Sequence, residues 1–258
     1  MNSIPALSFC ITCKNRLHQI QQTLRKNLDY NILHENSIEF VLIDFGTDGL
    51  HKWIVDNFRV ELASGYLKYY YTEELPHWHA SIAKNTAHLC ASGEILVNLD
   101  CDNFTGPWGG MFVLNVFKRH GNRVVFHQFS GNGYDGSFGR IAVRNNYYRI
   151  LGGYDEAFEP MGYQDLDLIK RLTCYGLKYV LQPHSLYNQA ITNTKEEGIR
   201  HTGSNKTYAE MERANFDRSE QNLAEGRLIS NSGIFGIIEN LFDHKGRVFH
   251  INIGNHDK

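Results

Sequence analysis

Short apolar runs alternate along the chain with longer segments in which apolar residues recur every three or four positions. The short runs are typical of buried strands, and the longer segments are typical of amphipathic helices. In the first hundred residues the runs predict strands at Ala6–Thr12, Phe40–Ile43, Leu67–Tyr71 and Glu94–Leu99. The periodic segments predict helices at Leu17–Leu28, Trp53–Phe58 and His79–Ala91.

The second half of the sequence continues the alternation with shorter and more polar segments. It predicts strands at Arg123–His127, Arg140–Val143, Leu177–Leu181 and Arg247–Ile253, and helices at Leu166–Leu172 and Asn205–Leu228. The glycine-rich stretch Gly131–Gly136 predicts a mobile loop. Strands that alternate with helices form a mostly parallel sheet. Because the sequence shows no repeat and no linker, we expect one α/β domain over residues 1–258, with a mixed, mostly parallel central sheet flanked by helices.

Composition and charge exclude several broad classes of protein. The 258 residues include 26 Lys and Arg against 28 Asp and Glu, whereas a nucleic-acid-binding protein usually shows a basic excess. No apolar stretch approaches the roughly 20 residues of a membrane span, and no basic segment followed by an apolar core indicates a secretory leader. We therefore expect a cytoplasmic protein with no nucleic-acid partner and no integral membrane segment.

The five cysteines are spaced too irregularly for a disulfide framework. Cys10 and Cys13 form a C-x-x-C pair, a pattern that can bind zinc or perform redox chemistry, but no second pair accompanies it. Free thiols in a reducing compartment are the better interpretation.

Polar residues follow the predicted strands at the ends where parallel sheets bind ligands. Asp100 and Asp102 come after the fourth strand, where an Asp-x-Asp motif could hold a hard divalent cation or simply be a solvated loop. Lys14 and Arg16 follow the first strand and could hold phosphate oxygens. Asp44 ends the second strand. Their convergence at one edge of the sheet is the first indication of a functional site.

Two acids and a histidine in the second half are open to two interpretations. Asp165 and Asp167 lie where a helix begins, and acids at that position commonly cap the helix or complement its dipole. One of them could instead act as a general base. His201 follows a polar turn, and a lone histidine is more often a surface residue than a metal ligand.

The order of these motifs resembles that of GT-A fold glycosyltransferases, which have a Rossmann-like nucleotide-binding half. The first half of the chain is similar to family 2 in its series Cys13–Arg16, Asp44, Ala83–Asn85 and Asp100–Asp102. The second half resembles the β-1,4-galactosyltransferase family (family 7) in Gly153–Asp167, Ile199–His201, Asn215–Arg218 and Ile251–Gly254. The resemblance covers nearly the whole chain. It implies a nucleotide-binding half at residues 1–103 and an acceptor and metal half at residues 104–258.

The resemblance also implies a role for each matching residue. Asp102 would bind the metal directly, Asp100 would lie near the ribose or a metal-bound water, and His201 would be the second protein ligand of Mn²⁺ or Mg²⁺. Asp165 would be the catalytic base, and Asp167 would support it or contact the acceptor. The residues that bind the nucleotide sugar would be Cys13, Lys14, Arg16, Asp44, Trp78, Asp100 and Ser137.

Several positions depart from the family 7 pattern. Gln164 stands where the family usually has Glu beside the base, and Met161 replaces a Trp that contacts donor and acceptor. The residues implied to bind the acceptor are Met161, Gln164 and Asp167. Because two of them depart from the family pattern, the acceptor stays undefined. Gly198 replaces a Met metal ligand, which implies one protein ligand fewer. Ser137 replaces a bulky Tyr of galactose-selective members and leaves room for an N-acetyl group.

The resemblance therefore implies an inverting, metal-dependent transferase of polysaccharide biosynthesis. It would move a hexose or N-acetylhexosamine, with galactose or N-acetylgalactosamine favoured, from a UDP-sugar to a hydroxyl of a saccharide or glycoconjugate acceptor, while the loop Gly131–Gly136 closes over the donor. One alternative is a nucleotidyltransferase that makes an activated sugar, but Cys13–Arg16 lacks the glycines of a phosphate loop. The other is a non-catalytic sugar- or nucleotide-binding module, which gives no reason to keep Asp102, Asp165 and His201 together.

Overall fold

Strands and helices alternate in the first half of the molecule in the order that the apolar pattern predicts. The computed structural model describes residues 4–129, 136–182, 189–233, 235–237 and 239–251. The first elements are β1 (Leu7–Cys13), α1 (Leu17–Asn31), β2 (Ile38–Asp44), α2 (Leu50–Asn57), α3 (Arg59–Ser64), β3 (Leu67–Tyr71), α4 (Ala80–Cys90) and β4 (Ile95–Asn98). β1, β2 and β4 are buried at every position, which is why their sequences are nearly continuous apolar runs.

The second half contains shorter elements. They are α5 (Gly109–His120), β5 (Val124–His127), β6 (Ile141–Arg144), α6 (Asn145–Ile150), α7 (Gln164–Cys174), β7 (Lys178–Leu181), α8 (Lys195–Ile199), α9 (Tyr208–Ala224), β8 (Leu241–Asp243) and β9 (Val248–Phe249). The last strand is thus shorter than the predicted Arg247–Ile253, and residues 252–258 lie outside the described residues. Residues 131–135 of the predicted loop also lie outside them.

In the described part of the chain, one sheet contains nine strands in the order β7-β5-β6-β4-β1-β2-β3-β8-β9. β6 and β8 pair antiparallel with all their neighbours, whereas β1 to β4 pair in parallel with one another. The prediction of a mixed α/β sheet flanked by helices is confirmed. β2 and β3 follow β1 on one side of it, whereas β4 lies on its other side, so the order in which strands are added to the sheet reverses at β1. Ligands bind at the carboxyl ends of strands at such a switch point.

Two apolar clusters pack on the two faces of this sheet. Cys13 belongs to the cluster that contains residues of α1 and α5, and Cys10 belongs to the cluster that contains residues of α4 and α7. The C-x-x-C pair therefore points to opposite faces and cannot bind one metal ion, and all five cysteines are free thiols. Within the described ranges, no helix is long and apolar enough to cross a membrane.

Candidate active site

A cavity of about 690 Å³ opens at the carboxyl ends of β1 and β4. This volume lies within the range of small-molecule sites. The sequence-predicted residues that line it are Lys14, Arg16, Trp78, Asp100, Asp102, Met161, Gln164, Asp165 and His201. They come from distant parts of the chain, so the fold assembles most of the predicted site in one place.

The Asp102 carboxylate lies in a polar but secluded part of this cavity. Its Oδ1 accepts a hydrogen bond from Asn103 Nδ2 at 2.6 Å, and its Oδ2 accepts one from Asn193 Nδ2 at 2.6 Å. Arg16 Nη1 lies 3.9 Å from Oδ2. Burial, and then the charge of Asp100, raise the pKa of Asp102 to about 6. A carboxylate that is costly to ionise in this way is stabilised by a bound cation.

Lys84 on α4 joins the Asp-x-Asp motif to the predicted base. Its Nζ donates a hydrogen bond to Asp165 Oδ1 at 2.7 Å and lies 3.9 Å from Asp100 Oδ1. Burial lowers the pKa of Lys84, but the charges of Asp100 and Asp165 outweigh burial and raise it. The sequence gives Lys84 no role beyond its place in a motif. One signal in the sequence does indicate a role: Lys84 stands among the alanines of the buried helix α4. Because lysine is almost never buried without a partner, this position implies a nearby acidic group.

Gly139 lies directly against this group of charges. A Cβ at Gly139 would come within 2.8 Å of Asp100 Oδ2 and 3.1 Å of Lys84 Nζ. A side chain at this position would displace the Asp100 carboxylate or the Lys84 ammonium group. Asn98 Nδ2 donates to both Asp100 Oδ1 and the Gly139 carbonyl.

Two polar contacts fix the position of His201, one through its backbone and one through its side chain. The His201 carbonyl accepts a hydrogen bond from the Trp78 backbone N–H at 2.6 Å, and His201 Nδ1 lies 3.2 Å from Asn15 Nδ2. Partial burial and the charges of Arg16 and Lys14 lower the pKa of His201. The neutral imidazole, which metal ligation needs, is therefore favoured.

Asn193 is a second cavity residue that the sequence does not predict. Its Nδ2 donates to Asp102, and its Oδ1 accepts a hydrogen bond from Gln19 Nε2 at 3.1 Å. The Ile191 backbone N–H also donates to the Asp102 carbonyl at 2.8 Å. These bonds place the segment before α8 across the end of β4. No local pattern around Asn193 indicates this role, because its partners lie far away in the sequence.

A divalent metal fits this donor set only if a substrate completes its coordination. In the part of the chain that the structure describes, no group of three or more His, Cys, Asp or Glu side chains could hold a metal ion. Asp100, Asp102 and His201 line the same cavity but do not form a complete metal site by themselves. Carboxylate and imidazole ligands with remaining positions left for phosphate and water suit Mg²⁺ or Mn²⁺ bound together with a substrate diphosphate.

Some of the predicted donor-binding residues do not reach the cavity. Asp44 is 2% exposed, and its carboxylate accepts hydrogen bonds from the Thr47 backbone N–H at 2.7 Å and from the Tyr69 hydroxyl at 2.9 Å. It therefore stabilises the turn after β2. Cys13 and Ser137 are fully buried and do not line the cavity. None of the three lines the cavity in this structure, and their roles in binding a nucleotide sugar stay predictions.

Asp167, which the resemblance implies would support the base or contact the acceptor, does not line the cavity. It is fully buried, with Oδ2 accepting a hydrogen bond from Arg171 Nε at 2.7 Å and Oδ1 accepting one from Ser219 Oγ at 2.8 Å. Two residues along α7 from Asp165, its side chain projects into the packing between α7 and α9. Asp167 therefore fixes α9 against α7 and does not face a ligand.

The fold matches solved structures of GT-A glycosyltransferases. The Pyrobaculum calidifontis mannosyltransferase PcManGT, in complex with GDP-Man and Mn²⁺, has a TM-score of 0.59 and 15% identity over 88% of this chain and 72% of that chain. S. aureus TarS 1-349 has a TM-score of 0.57 and 14% identity over 86% and 72%. Its complex with UDP-GlcNAc has a TM-score of 0.52 and 12% identity over 84% and 72%. No family model matches this chain, and no curated protein matches its sequence. At such identities the likeness shows the fold alone, and membership of family 2 or family 7 stays a prediction.

Proposed function

We propose that the protein is a metal-dependent, inverting glycosyltransferase that moves a sugar from a nucleotide sugar to a hydroxyl of a saccharide or glycoconjugate acceptor. The observation that carries the proposal is the convergence of Asp102, His201 and Asp165 on one cavity at the switch point of the sheet. The likeness in fold to a mannosyltransferase bound to GDP-Man and Mn²⁺ supports it.

The cavity offers cations to the nucleotide diphosphate. Lys14 and Arg16 line it and carry the positive charge that phosphate oxygens attract. Trp78 offers an aromatic surface for the base. UDP as the nucleotide, and galactose or N-acetylgalactosamine as the sugar, rest on the family resemblance. The predicted space beside Ser137 adds no support, because Ser137 does not line the cavity.

Asp102 and His201 would hold a Mn²⁺ or Mg²⁺ ion, with Asp100 beside them. When bound, the ion supplies positive charge that stabilises the departing nucleoside diphosphate. The two amide groups that donate to Asp102 fix the direction of its carboxylate before any ligand binds. Such support usually tunes affinity for the metal.

Asp165 is suited to accept the proton of the acceptor hydroxyl. Lys84 fixes Oδ1, whereas the one hydrogen bond that Oδ2 receives from the described residues is long, at 3.3 Å from Gln164 Nε2. Oδ2 can therefore take the proton while the acceptor oxygen forms its bond to the anomeric carbon and the bond from that carbon to the diphosphate breaks. Attack from the face opposite the leaving group inverts the configuration at that carbon, and one carboxylate is enough for this chemistry.

Replacement of the base tests this function directly. We expect Asp165→Asn to lower kcat by about 10²- to 10⁴-fold, because a positioned general base contributes about that much. Donor binding should be retained, since Asp165 is not among the residues proposed to hold the nucleotide or the metal. Release of UDP from UDP-galactose and UDP-N-acetylgalactosamine with a panel of glycosides and Mn²⁺ measures the first effect, and isothermal titration with UDP measures the second.

Asp217→Asn is a matched control, because Asp217 is an exposed residue on α9 that pairs with Arg213. It should leave UDP release unchanged, and EDTA should abolish UDP release by the wild type. Transfer at the wild-type rate by Asp165→Asn would refute the role of this residue. UDP release that persists without metal would exclude the metal-dependent mechanism.

A further inference from the structure

We propose that the first two turns of α9, with Tyr208 and Glu212, form an acceptor subsite that selects an uncharged saccharide. This proposal rests on the proposed function and extends it to the substrate class. The sequence assigns no role to either residue, because both precede the Asn215–Arg218 segment of the same helix and belong to no motif themselves. The structure brings both to the wall of the cavity that Asp165 also lines.

The start of α9 is fixed by its own sequence. The Thr207 hydroxyl accepts a hydrogen bond from the Glu210 backbone N–H, and the Glu210 side chain accepts one from the Thr207 backbone N–H. This capping box sets where the helix begins. It places Tyr208 in the first turn and Glu212 one turn later, and the Tyr208 hydroxyl lies 3.2 Å from Glu212 Oε1. The two side chains therefore form one unit on the cavity side of the helix.

The position of Glu212 is also fixed relative to the proposed base. Gly162 lies so close to α9 that a Cβ would come within 2.9 Å of Glu212 Cα. Asn215 Nδ2 donates a hydrogen bond to the Gly162 carbonyl at 2.7 Å. Because Gly162 precedes Asp165 by three residues, the same backbone contact sets the distance between the subsite and the base.

The hydrogen-bonding groups on this side of the cavity are mostly acceptors. Gln164 Oε1 is buried and has no hydrogen-bond partner in the described part of the chain. Its orientation follows from the other end of the amide, where Nε2 donates to Asp165. Asp165 and Glu212 add carboxylate oxygens. These hydrogen-bond acceptors require a ligand with many hydrogen-bond donors, and the hydroxyls of a sugar ring are such donors.

The charges next to the subsite are negative. Glu212 Oε1 lies 3.2 Å from the Tyr208 hydroxyl and Asp165 lines the same cavity, whereas the cation Arg16 lies beside Asp102, with Nη1 3.9 Å from Oδ2. Lys84, the cation next to Asp165, is already paired with that carboxylate. A phosphate or uronate group beside Glu212 would meet like charge and would lack donors. The geometry therefore favours neutral pyranosides and disfavours acidic acceptors.

Binding of defined glycosides tests the subsite without turnover. The protein, loaded with Mn²⁺ and UDP, is titrated with p-nitrophenyl β-glucoside, β-galactoside and β-N-acetylglucosaminide, and with p-nitrophenyl β-glucuronide as the acidic probe. We expect at least one neutral glycoside to bind about tenfold more tightly than the glucuronide, since hydrogen bonds to a charged group are the strong ones. Glu212→Gln should lower the affinity for the neutral glycoside about tenfold and narrow the difference in affinity between the neutral glycoside and the glucuronide.

Glu220→Gln serves as the matched control, because Glu220 lies on the same helix and pairs with Lys170 away from the cavity. It should leave all affinities unchanged. The proposal is overturned if the wild type binds the glucuronide as tightly as the neutral glycosides. It is also overturned if Glu212→Gln binds neutral glycosides with wild-type affinity. Failure of every glycoside to bind overturns it as well. Thermal melting confirms that the variants are folded.

A second measurement separates this proposal from the proposed function. Release of UDP from UDP-sugars is followed in parallel with the binding titrations. If glycosides bind as expected but no donor is turned over, the transferase function fails and the subsite stands. If UDP-sugars are turned over but neutral glycosides do not bind in preference to the glucuronide, the subsite fails alone.

Discussion

The ammonium group of Lys84 lies between two carboxylates, 2.7 Å from Asp165 Oδ1 and 3.9 Å from Asp100 Oδ1. Lys84 is 4% exposed and Asp165 is 8% exposed, so solvent screens the pair only weakly. Removing one partner of a buried pair leaves a charge without compensation. The residue therefore contributes to stability as well as to the orientation of the proposed base.

A double-mutant cycle tests this coupling. We expect Lys84→Met to lower the free energy of unfolding by about 3 kcal/mol, because Asp165 is left charged and partly buried. The double variant Lys84→Met/Asp165→Asn should regain at least ~1 kcal/mol of that loss. Urea unfolding of the wild type, Lys84→Met, Asp165→Asn and the double variant gives the coupling free energy between the two side chains. Effects that simply add would show that the two groups do not interact in solution.

Single residues show how far the sequence predicts the site. Asp100 and Asp102 are predicted because acids directly after a buried strand must lie at the edge of the sheet, where the structure places them. Asp165 and Asp167 look alike in sequence, but the helix rotates one toward the cavity and the other toward Arg171. Asn193 has no local pattern at all, since its role depends on a distant contact with Asp102.

Among the elements, α4 carries a buried titratable group. His88 is fully enclosed, its ring stacks on Tyr148 with centroids 4.5 Å apart, and its Nδ1 lies 2.7 Å from the Lys84 carbonyl. Burial lowers the pKa of His88 from its ordinary value of 6.5 to about 3. In the unfolded chain the imidazole takes up a proton below pH 6.5, but in the folded protein it does not.

This difference predicts a loss of stability in acid. Because the unfolded state binds more protons, the free energy of unfolding falls as the pH drops from 6.5 toward 3, by about 2 kcal/mol between pH 6.5 and pH 5. His88→Gln should lack this part of the pH dependence. Urea unfolding at pH 7 and pH 5 measures it, with exposed His120 replaced by Gln as the control. The same acid sensitivity in His88→Gln and wild type would contradict the prediction.

The strands were predictable as elements because buried parallel strands are apolar runs, whereas helix α5 was not predicted. It begins with Gly109 and Gly110, residues that favour loops in a sequence. A Cβ at Gly110 would lie 2.3 Å from Ile38 Cδ1. The helix therefore needs glycine to pack against the start of β2, a tertiary requirement that overrides helix propensity and cannot be inferred from neighbouring residues.

At the scale of the whole molecule, the last strands complete the sheet. β8 pairs antiparallel with β3, and Leu241 on β8 is fully buried in the cluster that also contains residues of α4 and α7. We expect Leu241→Ala to lower the free energy of unfolding by about 2–5 kcal/mol, as truncation of a buried leucine does. Val248→Ala on β9, at a site that is 51% exposed, is the control and should change it by less than ~0.5 kcal/mol. Similar values for the two variants would mean that β8 is not part of the cooperative core.

The pairing of β3 with β8 also has a consequence for biosynthesis. Tyr70 pairs with Asp243, so β3 can form its hydrogen bonds with β8 only after most of the chain has been translated. At synthesis rates of about 5–20 residues per second, the edge of β3 waits on the order of ten seconds or more beside the ribosome. An exposed edge strand can pair with other chains during that interval. Yield in a cell should therefore depend on translation speed and on chaperones that cover nascent chains.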